Sequence, residues 1–343
     1  VISAILERDL LPDTAIRAGI RRIVASRLRE LEEGTPGDQA VRFANLMEAL
    51  HRGPIAIATD EANAQHYELP PDFFAHILGP NLKYSSAWWP EGVESLAEAE
   101  TRMLELTAYR AQIQDGQRIL DLGCGWGSLT MHLAREFPRC EIVAVSNAPR
   151  QAGYIMAQAR ARGFAHVSAI TADINTFETE QRFDRIVSVE MLEHVRNHAR
   201  LFARVRRWLA DDGRFFAHVF SHRCFAYPYE VRNASDWMAR YFFTGGMMPS
   251  DDLFVHTQDD LLVERRWRID GLHYRRTAEA WLQHFDRHRE PIDAILAGVY
   301  GAGDVTRWRV RWRVFFMACA EMFGFRGGQE WGVSHYRFTR RPT

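Results

Sequence analysis

Residues 119–127 read "ILDLGCGWG", and "EIVAVS" follows at 141–146. An apolar strand runs into a turn with glycine at 123, 125 and 127, and then into a helix. Gly123, Gly125 and Gly127 let the chain turn tightly and let a ligand approach the backbone without meeting a Cβ. From residue 118 onward short apolar strands alternate with helices. Strands are expected at "RILDL", "EIVAV", "VSAIT" (167–171), "DRIVSV" (184–189) and "RFFAHVF" (214–220). Helices are expected at 128–137, 149–162 and 197–210. That order means an α/β fold, a Rossmann-like parallel sheet with helices on both faces. In such a sheet, ligands sit outside the carboxyl ends of the strands.

Outside this stretch the chain carries appendages. Residues 14–33 place Ile16, Ile20, Ile23, Val24, Leu28 and Leu31 at helical spacing among arginines, with Asp13 or Thr14 to cap the start and Gly34 to end it. This amphipathic basic helix either packs on the main domain or touches a lipid surface, and packing is the leading reading. A second helix runs to about 51, 60–66 is a polar loop, and the N-terminal helical appendage is taken as 1–60. Residues 61–343 form the main domain. Within it, aromatic-rich residues at about 222–272 break the rhythm and suit an inserted cap over a substrate pocket. Helices at about 278–287 and 305–323 and a strand at 332–338 close the chain.

Composition narrows the class. The 343 residues are 47% hydrophobic and 25% charged with a formal charge of −1, which excludes disorder and a dominant basic face for nucleic acid. Lys83 is the sole lysine against many arginines, a skew that suggests a GC-rich genome. Cys124, Cys140, Cys224 and Cys319 form no C-x-x-C pair, so neither a zinc framework nor a disulfide scaffold is signalled, and a reduced cytoplasmic setting is expected. No apolar run approaches the roughly 18–20 residues of a membrane span. No signal peptide is apparent. No metal is expected, although His194, His198, His218 and His222 are numerous.

The spacing of the glycines separates ligands. A dinucleotide calls for G-x-G-x-x-G, to set a pyrophosphate on a helix N-terminus. Here the pattern is G-C-G-W-G, which after "LDL" resembles the S-adenosylmethionine motif of class I methyltransferases. Such enzymes commonly place an acid after the second strand for the ribose, whereas this chain reads "AVSNAPRQ".

Further strings resemble the cyclopropane fatty acid synthase superfamily. They are "HYELPPDFF" (66–74), "LKYSSAWW" (82–89), "SVEMLEH" (188–194) and the Ser-x-x-x-x-Gln from Ser146 to Gln151 that replaces the ribose acid. Within it the chain is similar to coclaurine-type N-methyltransferases. "YRAQIQDGQ" (109–117), "RYFFTGGMMPS" (240–250), "HYRRTAEAWL" (273–282) and "EWGVSHYRF" (330–338) carry that likeness, and the lysine-poor composition suggests a bacterial relative. The resemblance implies that Tyr84, Ser85, Gly123, Gly125, Gly127, Asn147 and Gln151 contact the cofactor, with Asp173 and Ile174 at its adenine. S-adenosyl-L-homocysteine would be the product. Tyr67, Trp88, His218, Phe242, Phe243 and Tyr274 would line the substrate pocket.

"EMLEH" sets Glu190, Glu193 and His194 just past a strand end, where reacting groups belong. An amine must lose a proton before it accepts a methyl group, and a histidine is suited to take it. His194 is therefore expected as base, Glu193 as its orienter or proton relay, and Glu190 as the group that holds the ammonium. The expected partner is a small cyclic or aryl-ethyl amine, with a homodimer also open. The rival is cyclopropane synthesis on unsaturated phospholipid. By resemblance it uses bicarbonate held by a Cys, a Glu, a His, a backbone position and a Tyr. Glu193, His218 and Tyr274 match that set, but the cysteine position reads Ser86 and "FTGG" stands where the lipid enzymes usually read proline for the threonine.

Overall fold

The apolar alternation from residue 118 forms one sheet whose central strands are covered on both faces. The computed structural model describes residues 7–57, 69–231 and 236–342. The N-terminal pair is α1 (Asp13–Glu32) and α2 (Pro36–Arg52), followed by α3 (Pro71–Ile77) and α4 (Leu96–Ala111). The alternating part runs β1 (Arg118–Leu122), α5 (Ser128–Glu136), β2 (Glu141–Ser146), α6 (Pro149–Ala161), β3 (Val167–Thr171), β4 (Phe183–Val189), α7 (His198–Trp208) and β5 (Leu209–His222). Then come β6 (Tyr227–Pro228), α8 (Trp237–Tyr241), β7 (Met247–Met248), β8 (Leu261–Ile269), α9 (Gly271–Arg287), α10 (Arg289–Tyr300), α11 (Val305–Phe323) and β9 (Trp331–Arg340).

The seven-stranded sheet has the order β3-β2-β1-β4-β5-β9-β8. The first five strands are parallel, and β9 runs antiparallel between β5 and β8. Strand order reverses between β1 and β4, which opens a crevice at their carboxyl ends. Ile119, Leu120, Ile186 and Val187 are fully buried there, as a sheet with helices on both sides requires.

Two expectations change here. The segment Leu261–Ile269 belongs to the main sheet, paired with β9, so the insertion over the pocket ends before 261 rather than at 272. The alternation was hidden because β8 is an edge strand whose outward residues include Glu264, Arg265 and Arg266. At the N-terminus, Pro12 occupies the cap position of α1 without a side-chain bond. Asp13 instead pairs with Arg313 at 2.9 Å.

Helix α1 lies on the main domain. Ile16 and Leu28 are buried, and Ile20, Val24 and Leu31 pack on the large core cluster beside them. Arg17 bridges Glu279 at 2.6 Å and Glu321 at 3.0 Å, and Arg21 reaches Glu321. Those arginines face acids of α9 and α11. No helix is long and apolar enough to cross a membrane among the described residues. The polar stretch 60–66 lies outside the described residues.

Candidate active site

The glycine turn after β1 is held by its own backbone. The amides of Gly123 and Cys124 both donate to Val145 O, at 2.9 and 3.0 Å. Gly123 has φ +83°, and a Cβ there would stand 2.5 Å from Met191 Cγ. Gly125 has φ +53° and open space in front of it, so a ligand can lie against its backbone. Gly127 serves packing instead. Its φ is +80°, and a Cβ would stand 2.6 Å from Ile155 Cγ1. It does not line the cavity, contrary to the expectation for all three glycines.

That cavity runs from Tyr84 and Ser85 past Gly123 and Gly125 to Asn147, Gln151 and Ile174, and it ends at Glu190 and His194. Ser146 Oγ donates to Gln151 Oε1 at 2.6 Å, which presents the amide nitrogen of Gln151 to the cavity. Gln151 Nε2, Trp126 Nε1 and Ser128 Oγ are buried there without hydrogen-bond partners among the described residues. An unmet buried donor costs about 1–3 kcal/mol, so three in one cavity mark a place where a polar ligand completes the structure. The donor set is neutral. Lys83, the one cation in the wall, donates to Ser85 Oγ and Ser86 O, and burial lowers its pKa to about 8. A ligand rich in hydroxyl groups with an amino-acid tail fits this set better than a pyrophosphate does. The Asp173 carboxylate accepts from Asn175 N at 2.7 Å, and its neighbours Ala172 and Ile174 line the cavity.

A second, apolar cavity meets the first at Tyr84, Glu190 and His194. Phe220, Tyr229, Phe243, Tyr274 and Trp281 wall it together with Phe315, Cys319 and Phe323 of α11. Of the six residues expected in this wall, Phe243 and Tyr274 are in it. Trp88 is not, and its backbone instead pairs with Ala99. Phe242 lies behind the wall, stacked on Phe315 at 4.4 Å. His218 is fully buried behind Glu190, and Tyr67 lies outside the described residues. The α11 residues were missed because 315, 319, 322 and 323 repeat at helical spacing, which reads as ordinary core.

The chemistry collects on the turn after β4. Glu190 has φ +48°, a left-handed conformation that costs a non-glycine residue roughly 1–2 kcal/mol. The turn is fixed by its amide, which donates to His218 O at 2.8 Å. Its Oε1 accepts from Ser86 N at 2.9 Å and stands 3.1 Å from His218 Nε2, and its Oε2 accepts from Tyr274 OH at 2.7 Å. Burial pushes the Glu190 pKa up, while Lys83 and these donors pull it back toward the carboxylate.

Glu193 is buried, and its Oε1 accepts from Phe220 N at 2.7 Å. Burial first and the neighbouring Glu190 second push its pKa well above the usual carboxylate range. It makes no hydrogen bond to His194 among the described residues. The ring of His194 instead stacks on Phe243 at 5.4 Å and opens into both cavities. Burial lowers the His194 pKa to about 4, so the imidazole is neutral at ordinary pH.

The chain matches the sequence profile described as mycolic acid cyclopropane synthetase over residues 56–329. The chain belongs to that family. It is 36% identical over 340 residues to (S)-coclaurine N-methyltransferase from Thalictrum flavum subsp. glaucum, covering 98% of this chain and 94% of the relative. Cyclopropane-fatty-acyl-phospholipid synthase of Escherichia coli strain K12 is 30% identical over 263 residues, 72% of this chain and 66% of that one. A crystal structure of coclaurine N-methyltransferase bound to N-methylheliamine and S-adenosylhomocysteine superposes with a TM-score of 0.95 at 36% identity, covering 98% of both chains. A cyclopropane synthase from Mycobacterium tuberculosis shares the fold, with a TM-score of 0.65 at 22% identity over 82% of this chain and 98% of its own. The family member described here is an S-adenosylmethionine-dependent methyltransferase with the class I fold.

Proposed function

We propose that the chain N-methylates a small secondary or tertiary amine with an aromatic body, of the isoquinoline type. One arrangement carries this reading: a carboxylate, Glu190, and a neutral imidazole, His194, stand where a polar cavity opens into an aromatic one. S-adenosylmethionine supplies an electrophilic methyl group on a sulfonium. Tyr84, Ser85, Asn147, Gln151 and Ile174 would hold it against the open face of Gly125.

The rest falls to the chain's own residues. The amine arrives as an ammonium ion, and Glu190 holds it by charge and hydrogen bond. Rings such as Phe243 and Tyr229 favour a cation by about 0.5–2 kcal/mol each when desolvated. His194 takes the N–H proton and leaves a nitrogen lone pair facing the polar cavity. The aromatic wall fixes the amine's approach, which is the larger part of what this reaction asks of a protein. Glu193, whose Oε1 accepts from the Phe220 amide, supports the turn that carries Glu190 and His194. Relatives named (S)-coclaurine and pavine N-methyltransferase support the isoquinoline class.

The lipid reading loses support from the same geometry. His218 and Tyr274 belong to the set that the family resemblance assigns to bicarbonate, and both are already engaged with Glu190, while Ser86 stands at the cysteine position and gives its amide to the same carboxylate. A second anion in that place would meet a carboxylate and find its donors taken.

The test offers labelled S-adenosylmethionine with 1,2,3,4-tetrahydroisoquinoline or with vesicles of unsaturated phospholipid, with and without bicarbonate. N-methylated amine and unmodified lipid are expected. Bicarbonate-dependent cyclopropane lipid without amine product would reverse the reading.

A further inference from the structure

Two of the strings that mark the family resemblance contribute residues the reaction above does not use: Arg110 in "YRAQIQDGQ" and His335 in "EWGVSHYRF". The sheet brings them to Glu190. His218 and His335 are direct partners in the antiparallel β5–β9 pair, and Trp267 faces His335 across β8–β9. Cross-strand partners project from the same face. Arg110, in the last turn of α4, lays its guanidinium 5.0 Å from the Trp267 ring centre. Its NH1 stands 2.9 Å from His335 Nδ1. His335 Nε2 stands 2.9 Å from His218 Nδ1, and His218 Nε2 stands 3.1 Å from Glu190 Oε1.

This chain of contacts has one consistent set of protons. A guanidinium only donates, so His335 Nδ1 must accept. A neutral imidazole carries one proton, which then sits on His335 Nε2 and is donated to His218 Nδ1. The proton of His218 is thereby placed on Nε2 and donated to Glu190. We propose that Arg110, through His335, is a positioning residue that locks both histidine tautomers and so keeps Glu190 a carboxylate. Its functional half rests on the amine reading above.

The opposite arrangement is excluded by contact. If His335 carried its proton on Nδ1, two N–H groups would face each other at 2.9 Å. Burial holds both histidines well below their usual pKa, so neither takes a second proton. The other titratable groups that act on Glu190 are Lys83, Glu193, His194, Tyr274 and Cys319. Lys83 favours the carboxylate, whereas Glu193, if ionised, would oppose it. Without Arg110, His335 is free to move its proton to Nδ1. His218 then turns an acceptor toward Glu190, and that acceptor is satisfied only by a protonated carboxyl.

Full-length protein labelled with ¹⁵N-histidine reads the tautomers through two-bond ¹⁵N–¹H correlations, with His218 and His335 assigned by single substitution. The native enzyme should show both as Nε2–H. Arg110→Met should let His335 populate Nδ1–H beside Nε2–H, and Arg110→Lys, again a pure donor, should restore Nε2–H alone. In parallel, the KM for 1,2,3,4-tetrahydroisoquinoline should rise roughly tenfold in Arg110→Met on the acid side of the pH profile, about the worth of one lost hydrogen bond, and recover as the pH is raised and Glu190 ionises again. Native Nδ1–H at His335 would overturn the proposal. So would an Arg110→Met profile that matches the native one, or a loss of activity equal at every pH with a lower melting temperature. Tautomers as expected in a protein that methylates no amine would sink the amine reading and leave the proton placement standing.

Discussion

Replacing Glu190 by glutamine isolates the charge from the shape. The carboxylate accepts three hydrogen bonds, two on Oε1 from Ser86 N and His218 Nε2, and one on Oε2 from Tyr274 OH. A glutamine keeps a carbonyl oxygen for the first two. Its amide nitrogen then faces a tyrosine hydroxyl, which can rotate to accept. The fold should therefore lose at most about 1 kcal/mol, the worth of one neutral hydrogen bond. The bound ammonium loses a charged partner, and a hydrogen bond to a charged group is worth about 1.5–3 kcal/mol. At 1.36 kcal/mol per decade, KM for the amine should rise roughly 10- to 150-fold. Initial rates over a range of amine concentrations at saturating S-adenosylmethionine measure this. Calorimetric titration with S-adenosylhomocysteine, which carries no sulfonium charge, reports whether the cofactor cavity is intact. A Glu190→Gln enzyme with native KM, or one that loses only kcat, would refute the holding role, because the interaction would then be absent from the ground state.

Two other substitutions probe the remaining parts. His194→Ala should lower kcat by roughly 10²–10⁴-fold, the range of general acid–base catalysis, with the deficit shrinking at high pH as the amine arrives deprotonated. Because burial sets the native His194 pKa at about 4, the imidazole gains its proton only as pH falls toward that value, and the native acid limb should lie well below the 6.5 of a free histidine; a limb centred near 6.5 that vanishes in the variant would contradict the buried setting. Gly123→Ala should abolish measurable cofactor binding, since φ +83° disfavours alanine and its Cβ would drive Met191 toward the cavity; native affinity for S-adenosylhomocysteine in this variant would show that the turn adapts.

The sequence by itself determined the five parallel strands, the cofactor class and the turn that carries Glu190 and His194. Those features are local. A strand followed by Gly-x-Gly-x-Gly, and "EMLEH" after a later strand, are contiguous signals whose backbone needs appear as residue types. The Ser-x-x-x-x-Gln string from Ser146 to Gln151 entered through the family resemblance, and the 2.6 Å bond between the two side chains is a finding of the structure.

Tertiary structure alone decided the rest. Gly127 and Asp173 carried the expected motif letters, yet one is fixed by Ile155 and the other by Asn175. Glu193 and His194 are adjacent in sequence but make no bond to each other, because consecutive side chains on a tight turn diverge. The substrate wall draws on α11, more than 120 residues beyond Glu190, where a cavity-lining phenylalanine and a core phenylalanine obey the same helical spacing. The row Arg110–His335–His218–Glu190 depends on which strand lies beside β5 and in what register. A one-residue slip of β9 would turn His335 to the opposite face. Register and strand order are properties of the whole sheet, and no window of the chain contains them.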